Sequence, residues 1–446
     1  MKALLKTAHR AGFVLGVFLL GSASLGAGKT AAPPVVAPLA AYQGPSVKGV
    51  DTGTLTGRVM CGYQGWFNCE GDGAGLGWTH WAQFRSKPFG PGNVCVDMWP
   101  DVSELSAPER YATPFVTADG NPAELFSSYC RETVLRHFRW MREYGIDGVF
   151  VQRFADGLKN PIGRQHKDVV LAKCREGANR EGRAYAVMYD LSGLPAGGVA
   201  PVLEDWRRLR SQMQIGKDPA YLQHNGKPLV AVWGVGFGSD RLYSLAECRT
   251  LIEGLREDGC SVMLGIPSGW REQKRDATND SALHEVLKLA DILSPWTPGR
   301  YRSVPEVARH AETGWKPDIR WCAEAGIEYL PVVFPGFSWH NKTPDAPSNQ
   351  IPRLKGSFLW SQFAAAKSAG AKMVYVAMFD EVDEGTAIFK ITDQPPVGAN
   401  PFVGMEGLPS DHYLWLTGEA ARQFRGAAPL SSQPPPRAEP QTVKTR

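Results

Sequence analysis

The stretch A-K-M-V-Y-V-A-M-F-D-E-V-D-E-G-T-A-I-F, residues 371–389, joins a strand pattern directly to an acidic cluster. Residues 373–378 are apolar and uncharged, which is typical of a strand covered on both faces in a parallel sheet. Four carboxylates follow within five positions: Asp380, Glu381, Asp383 and Glu384. Close carboxylates repel one another and raise some of their pKa values, so one can stay protonated beside an ionised neighbour. An isolated cluster of this kind is more often a solvated turn, but its position at the end of a strand favours a functional site.

Seven similar strand patterns precede this one, and amphipathic helical patterns separate them. The strand patterns cover residues 58–67, 148–154, 184–190, 228–234, 261–267, 291–296 and 329–336. The helical patterns cover residues 125–144, 166–182, 201–214, 244–258, 282–290, 304–325, 354–370 and 413–424. Eight strands alternating with eight helices predict a parallel (β/α)8 barrel, or TIM barrel, with right-handed connections. A doubly wound open sheet is the alternative, but its glycine-rich phosphate-binding turn before a helix is absent from the sequence.

The remaining segments differ from the barrel in composition. Residues 68–126 form a long insertion after the first strand, which predicts a segment that shapes a binding face. Residues 1–27 combine basic, apolar and small residues in the order of a signal peptide, so we expect a secreted or periplasmic protein, with an uncleaved anchor as the alternative. Residues 28–50 predict a linker, residues 51–425 the barrel domain, and residues 426–446 a disordered Pro-rich tail.

Charge and cysteine content limit the classes of partner. The 446-residue chain has a formal net charge of +4, and three of the positive charges lie in residues 1–27. We therefore expect no nucleic-acid partner, and no apolar run after residue 27 is long enough for a membrane span. Eight cysteines in an exported chain predict one or more disulfides, although Cys174, Cys248 and Cys322 fall in helical patterns that favour buried free thiols. We expect a monomer.

The C-terminal ends of the predicted strands carry aromatic, polar and acidic residues, and this is where (β/α)8 barrels place their active sites. The candidate substrate-binding residues there, or in the loops that follow, are Tyr63, Trp66, His80, Asp190, Trp233, Trp296, Trp339, His340, Asn341 and Asp383. Aromatic rings with a few hydrogen-bonding groups and several carboxylates predict a carbohydrate cleft. Each ring on its own fits barrel packing equally well.

The acidic cluster supplies the two carboxyl groups that cleavage of a glycosidic bond needs. One carboxyl protonates the leaving oxygen and the other acts as a base or nucleophile. Glu381 and Glu384 are the best pair for these catalytic roles. Ser268 has no nucleophile elbow around it, and D-E-V-D-E-G lacks the oxygen spacing of a calcium loop. We therefore expect no metal and no cofactor.

The sequence also resembles a known family. Residues 379–389 are similar to the F-N-E-W-H-E-G-T-x-I-E signature of glycoside hydrolase family 99 and of its family 71 relatives, the endo-acting α-mannosidases and α-1,3-glucanases. Other segments agree in the same order: G-Y-Q-G-W-F at 62–67, His80-Trp81, D-M-W-P-D-V-S-E-L at 97–105, G-I-D-G-V-F-V-Q at 145–152, N-G-K-P-L-V-A-V-W at 225–233 and F-P-G-F-S-W-H-N at 334–341. The resemblance covers roughly residues 58–390.

This resemblance implies specific roles. Glu381 would act as a base on a sugar 2-hydroxyl, which displaces the leaving group through a 1,2-anhydro sugar, and Glu384 would be the general acid and then the base. Asp190 matches an acidic residue of the family's cleft. The signature's Asn, Trp and His are replaced here by Asp380, Val382 and Asp383, so the sugar recognised is open.

The patterns and the resemblance together predict a secreted glycoside hydrolase that cleaves α-linked glycans or polysaccharides with retention of configuration. The alternative is a non-catalytic carbohydrate-binding (β/α)8 barrel, which would keep the aromatic residues without productive acid chemistry.

Overall fold

The computed structural model describes residues 38–238, 241–426 and 429–437. Its centre is a barrel in which parallel strands pair with their neighbours along the chain, and the first pairs with the eighth. The strands are Val59–Tyr63, Gly148–Phe154, Ala184–Asp190, Lys227–Trp233, Ser261–Pro267, Ile292–Trp296, Glu328–Tyr329 with Val332–Val333, and Val374–Val376. Most of their side chains are fully buried, as expected for strands packed between a barrel interior and an outer layer of helices.

The barrel closes through its seventh strand, which is split at Pro331. Glu328–Tyr329 pairs with the sixth strand, and Val332–Val333 pairs with the eighth. Pro331 has no N–H to give to the ladder, but its carbonyl accepts from the Tyr375 N–H at 3.0 Å. This closure confirms the predicted (β/α)8 barrel and excludes an open doubly wound sheet.

Helices follow the strands in the predicted order. They are Arg131–Tyr144, Pro161–Glu181, Ala200–Met213, Leu245–Glu257, Leu283–Leu287, Val304–His310, Lys316–Glu324, Ser357–Ser368 and His412–Arg425. The pattern at 304–325 is interrupted by one π-helical turn, Ala311–Trp315. Gly145 and Gly182 end their helices with φ of 77° and 58°, the left-handed cap that glycine adopts without strain.

Three strands end at least two residues earlier than predicted, and one of them is the seventh, which ends at Val333. The first ends at Tyr63 and the eighth at Val376. The next backbone N–H groups, those of Gln64 and Gly65, donate to the Asp380 carboxylate at 2.8 and 2.9 Å instead of to a neighbouring strand. A side chain from the far end of the sequence therefore sets the end of the first strand.

The insertion at 68–126 lies against the segment that follows the eighth strand. It contains one antiparallel hairpin, Tyr111–Val116 with Pro122–Leu125, and is otherwise built from turns. The Val397 N–H donates to the Val116 carbonyl at 2.9 Å, which ties the hairpin to that segment. The predicted long insertion is confirmed, and it stands beside the carboxylate cluster.

The described parts of the two terminal segments pack on the barrel. Val47 and Val50 donate backbone hydrogen bonds of 2.8 and 2.9 Å to the end of helix Pro161–Glu181 and its cap, so the region predicted as a linker is held to a helix. Arg437 pairs with Asp411 at 2.7 Å, and Trp360 Nε1 donates to the Ser431 carbonyl, so residues 429–437 also contact the protein instead of extending from it. The predicted signal peptide lies outside the described residues.

Every cysteine lies in the described part of the chain, and all eight are free. Seven are buried and Cys130 is half-buried, so the expectation of a disulfide is wrong for this structure. The thiols of Cys69 and Cys95 instead donate to backbone carbonyls. In the described residues there is no helix of the length and apolarity needed to cross a membrane.

Candidate active site

The carboxylate cluster sits on a closed turn at the C-terminal end of the eighth strand. The Ile388 N–H donates to the Met378 carbonyl at 3.1 Å, and the Thr386 N–H donates to the Glu381 carbonyl at 3.0 Å. Gly385 has φ of 63°, and an added Cβ there would lie 2.8 Å from the Ser338 nitrogen. Glycine is therefore needed for both the turn and its close approach to the loop after the seventh strand.

Asp380 is fully buried and joins the first and eighth strands. Its two carboxylate oxygens accept the backbone N–H groups of Gln64 and Gly65. Burial raises its pKa to about 7, although the two backbone donors oppose the shift. Asp380 thus fixes the backbone of Gln64, whose side chain donates to the neighbouring Glu381 carboxylate.

Glu381 is 4% exposed and is held at both oxygens. Gln64 Nε2 donates to Oε1 at 2.8 Å, and Thr386 Oγ1 donates to Oε2 at 3.0 Å. Burial raises its pKa well above the usual range, and the negative charges of Glu384 and Asp383 raise it further. The two fixed donors orient Glu381 as a hydrogen-bond acceptor.

Glu384 is the more accessible of the two glutamates, with 27% of its side chain exposed. Lys342 Nζ lies 3.6 Å from Glu384 Oε1 and 3.4 Å from Asp383 Oδ2. Burial raises the pKa of Glu384, and Lys342 opposes that shift. Although burial also acts on Asp383, Lys342 and His80 hold the pKa of its carboxyl below the usual range, so Asp383 is the ionised centre of the cluster.

His80, a residue of the insertion at 68–126, contacts the carboxylate cluster. Its Nδ1 lies 3.4 Å from Asp383 Oδ2, and its ring stacks on Trp66 with centroids 3.9 Å apart. Burial lowers its pKa, which Asp383 opposes. The stack covers one face of Trp66, so that face is not open to a ligand.

Two further tryptophans lie together at the ends of the fourth and sixth strands. Trp233 and Trp296 are half-buried and perpendicular, with centroids 5.6 Å apart. The indole N–H groups of Trp66, Trp233 and Trp339 find no hydrogen-bond acceptor among the described residues. Unpaired buried donors are costly, and the core residues Trp81, Trp206, Trp270 and Trp315 also have indole N–H groups without an acceptor among the described residues.

A cavity of about 420 Å³ opens beside the carboxylates, between the loops after the first and second strands. Its wall includes Gln64, which holds Glu381, and His80, which lies against Asp383. Trp66 and Phe154 form its aromatic side. The cavity therefore adjoins the cluster through Gln64 and His80, which touch both.

Structures of known proteins share this architecture. The family 99 endo-α-mannosidase of Bacteroides thetaiotaomicron matches with a TM-score of 0.62 and 17% identity, over 83% of this chain and 98% of that one. Its complex with bis-tris-propane matches with a TM-score of 0.60 and 16% identity over the same shares of the two chains. A protein described as glycoside hydrolase-like matches with a TM-score of 0.51 and 13% identity, over 86% of this chain and 99% of that one.

The chain has a family 99-like fold. At these identities the likeness establishes the barrel and not the activity. No family model and no curated protein matches the sequence.

Asp190 ends the third strand, paired in register with Trp233. It is 8% exposed, and its Oδ1 accepts from the Ser192 N–H at 2.7 Å. Burial raises its pKa to about 6. It lies at the C-terminal face and outside the carboxylate cluster, and the role that the family resemblance implies for it stays a prediction.

Tyr63 does not line the cleft. Its side chain is fully buried, its hydroxyl lies 2.9 Å from His137 Nδ1, and its ring packs on Phe138. Both partners belong to helix Arg131–Tyr144. Tyr63 therefore fills the layer between the barrel and its helices, because neighbouring strand residues point to opposite faces.

His340 and Asn341 hold a loop in place. The backbone N–H groups of both donate to the Asp97 carboxylate at 2.7 Å. His340 Nδ1 lies 2.6 Å from a loop carbonyl, and the Asn341 amide donates to two carbonyls at 3.0 and 2.8 Å. Their polar groups are thus satisfied by the protein, whereas the indole N–H of the neighbouring Trp339 has no acceptor among the described residues.

Two contacts of the glutamates were not predicted from the sequence. Thr386 donates to Glu381, and Lys342 lies beside Glu384. Thr386 lies inside the signature, two residues after Glu384, so its place in the turn was a usable signal. Lys342 is separated from Asp383 by 41 positions, and only the packing of two loops brings them together.

Proposed function

We propose that this protein is a glycoside hydrolase that cleaves α-linked glycans or polysaccharides, with Glu381 and Glu384 as its catalytic pair. The observation that carries the proposal is their different surroundings on one turn. Glu381 is enclosed and held by two donors, whereas Glu384 is partly exposed at the cleft. A base and an acid for one glycosidic bond need such a difference.

In this proposal Glu381 takes the proton of the sugar 2-hydroxyl, and that oxygen attacks the anomeric carbon as the glycosidic bond breaks. Glu384 gives its proton to the leaving oxygen. Glu384 then removes a proton from water, whose oxygen opens the 1,2-anhydro ring, and Glu381 returns its proton to the sugar oxygen. Gln64 and Thr386 support the first step, because their hydrogen bonds favour the ionised form of Glu381.

One observation favours the opposite assignment. Lys342 stabilises a negative charge on Glu384, while Asp383 and Glu384 oppose a charge on Glu381. These charges would leave the proton on Glu381, which would then be the acid. Activated aryl glycosides separate the two cases, because they need little protonation: the variant of the true acid keeps more activity on them than on an unactivated glycan.

The experiment is hydrolysis of α-mannans, α-1,3-glucans and other α-glycans, with products separated by chromatography. We expect release by the native protein and a loss of at least roughly a hundredfold in Glu381→Gln and in Glu384→Gln. Glu253→Gln, on an exposed helix face, is the matched control. Binding of glycans without release of any product would support a non-catalytic barrel instead.

We further propose that the protein is exported, on the signal-like order of residues 1–27. N-terminal sequencing of the native protein tests this. Cleavage near residues 23–27 is expected, and an intact Met1 in a cytoplasmic fraction would contradict it.

A further inference from the structure

The cavity beside the carboxylates carries an imbalance of charge that the proposed reaction does not use. Lys167 and Arg85 line it, and neither has a carboxylate within 4.0 Å among the described residues. Asp156 is the acidic side chain of the wall. The lining thus has two positive charges against one negative charge.

The other titratable groups of the wall do not correct this imbalance. Burial lowers the pKa of His166 to about 4 and also lowers the pKa of His80, so both imidazoles are neutral near neutral pH. His166 Nε2 lies 3.1 Å from the Asn68 amide nitrogen, which it can accept only as a neutral ring.

Lys167 is half-buried in the wall of the cavity. It stands in the second turn of helix Pro161–Glu181, and an added Cβ at Gly157 would lie 2.6 Å from its Nζ. Burial lowers the pKa of Lys167, and the charge of Asp156 opposes this shift. A partly buried ammonium without a counter-ion is costly, so an anion in the cavity would stabilise it.

The start of the same helix adds to the positive potential. Asn160 caps the helix, and both Asn160 and Gly163 line the cavity. A helix N-terminus carries a partial positive charge that favours anions, and Lys167 lies one turn further along on the same side.

We propose that this cavity binds an acidic substituent of the glycan, a carboxylate, phosphate or sulfate, next to the bond that is cleaved. The inference rests on the proposed function only in taking the ligand to be a glycan. Binding of an anion by the cavity does not depend on that function. Gln64 and His80 connect the cavity to Glu381 and Asp383, so the acidic group would lie on a sugar within or adjoining the cleavage site.

The test measures binding of glucuronate, inorganic phosphate, sulfate and glucose by calorimetry at constant ionic strength. We expect one or more of the anions to bind, glucose to bind at least tenfold more weakly, and the preferred anion to identify the substituent. Lys167→Met should weaken anion binding at least tenfold, and Arg85→Met, at an exposed position, should weaken it less. Lys159→Met is the matched control, since Lys159 is an exposed lysine on the same loop but outside the cavity.

Equal affinity of native protein and both cavity variants for every anion, or no anion that binds more tightly than glucose, would overturn the proposal. Arg85→Met keeps the test decisive if Lys167→Met does not fold. These probes bind without being cleaved, so a protein that binds anions but releases no product from any glycan would fail the proposed function and not this inference.

Discussion

At the scale of single residues, Lys342 sets the charge of the carboxylate cluster. It contacts both Asp383 and Glu384, and through Asp383 it is linked to His80. The two glutamates could be predicted because they lie together at one strand end. Lys342 could not, because no local pattern relates a loop lysine to a turn 41 positions away.

The prediction that Tyr63 binds substrate was wrong for a related reason. A strand pattern that ends in several polar and aromatic residues does not show which of them faces the cleft.

Replacing Lys342 by methionine should shift the acidic limb of the pH profile. Lys342 lowers the pKa of Glu381, so without the ammonium this pKa rises and the activity that needs ionised Glu381 appears only at higher pH. The measurement is kcat/KM against pH, and we expect the limb to move up by about one pH unit. Lys342→Arg, which keeps the charge, should restore the native profile, and an unshifted limb in Lys342→Met would contradict this account.

Asp380→Asn should change how stability depends on pH. The pKa of Asp380 is raised to about 7 in the folded protein, so folding favours its protonated form. That contribution is fully present below the unfolded pKa of about 4 and is lost as the pH rises to about 7. Its size follows from linkage, in which a folded pKa one above the unfolded value corresponds to roughly 1.4 kcal/mol of unfolding free energy.

Asparagine cannot ionise, so the difference in Tm between Asp380→Asn and the native protein should change across this window. Calorimetric scans from pH 4 to 8 measure it. A constant difference over that range would show that Asp380 is not the group that titrates.

At the scale of elements, the strand and helix order was predictable and the strand ends were not. The uncharged run at 373–378 identified a buried strand, and glycines marked the helix ends. The first strand is shorter than predicted because Asp380 takes the backbone N–H groups that would otherwise extend its ladder. After the eighth strand, the Met378 N–H donates to the Thr386 carbonyl of the turn and not to a neighbouring strand. The split seventh strand and the packing of both terminal segments likewise depend on contacts between distant parts of the chain.

Two tryptophans in loops of the C-terminal face should respond differently to truncation. Trp81 is fully buried, with its ring 4.4 Å from that of Phe67, so Trp81→Ala should destabilise the protein by about 3–5 kcal/mol. Trp339 is half-buried, and it follows Ser338, whose N–H donates to the Glu384 carbonyl at 2.9 Å. Trp339→Ala should weaken glycan binding roughly five- to tenfold with little change in Tm. Unfolding of Trp339→Ala would place this residue in the core and remove it from the cleft.

At the scale of the whole molecule, the barrel brings together groups that are far apart in the sequence. The insertion contributes His80, the loop after the seventh strand contributes Lys342, and the eighth strand contributes the glutamates. The charged cavity adjoins these groups through Gln64 and His80, which line it.

Each displacement at the anomeric carbon inverts its configuration, and a second inversion restores it. The anhydro-sugar route therefore predicts a product with the anomeric configuration of the substrate. Proton NMR of the first-formed product, recorded before mutarotation, measures this directly. The same route requires a 2-hydroxyl, so a 2-deoxy substrate should fail with the native enzyme while its parent is cleaved. An inverted product would instead mean that water attacks the anomeric carbon directly, with one glutamate as acid and the other as base. That result would exclude the role of Glu381 on the sugar hydroxyl and leave the two-carboxylate site in place.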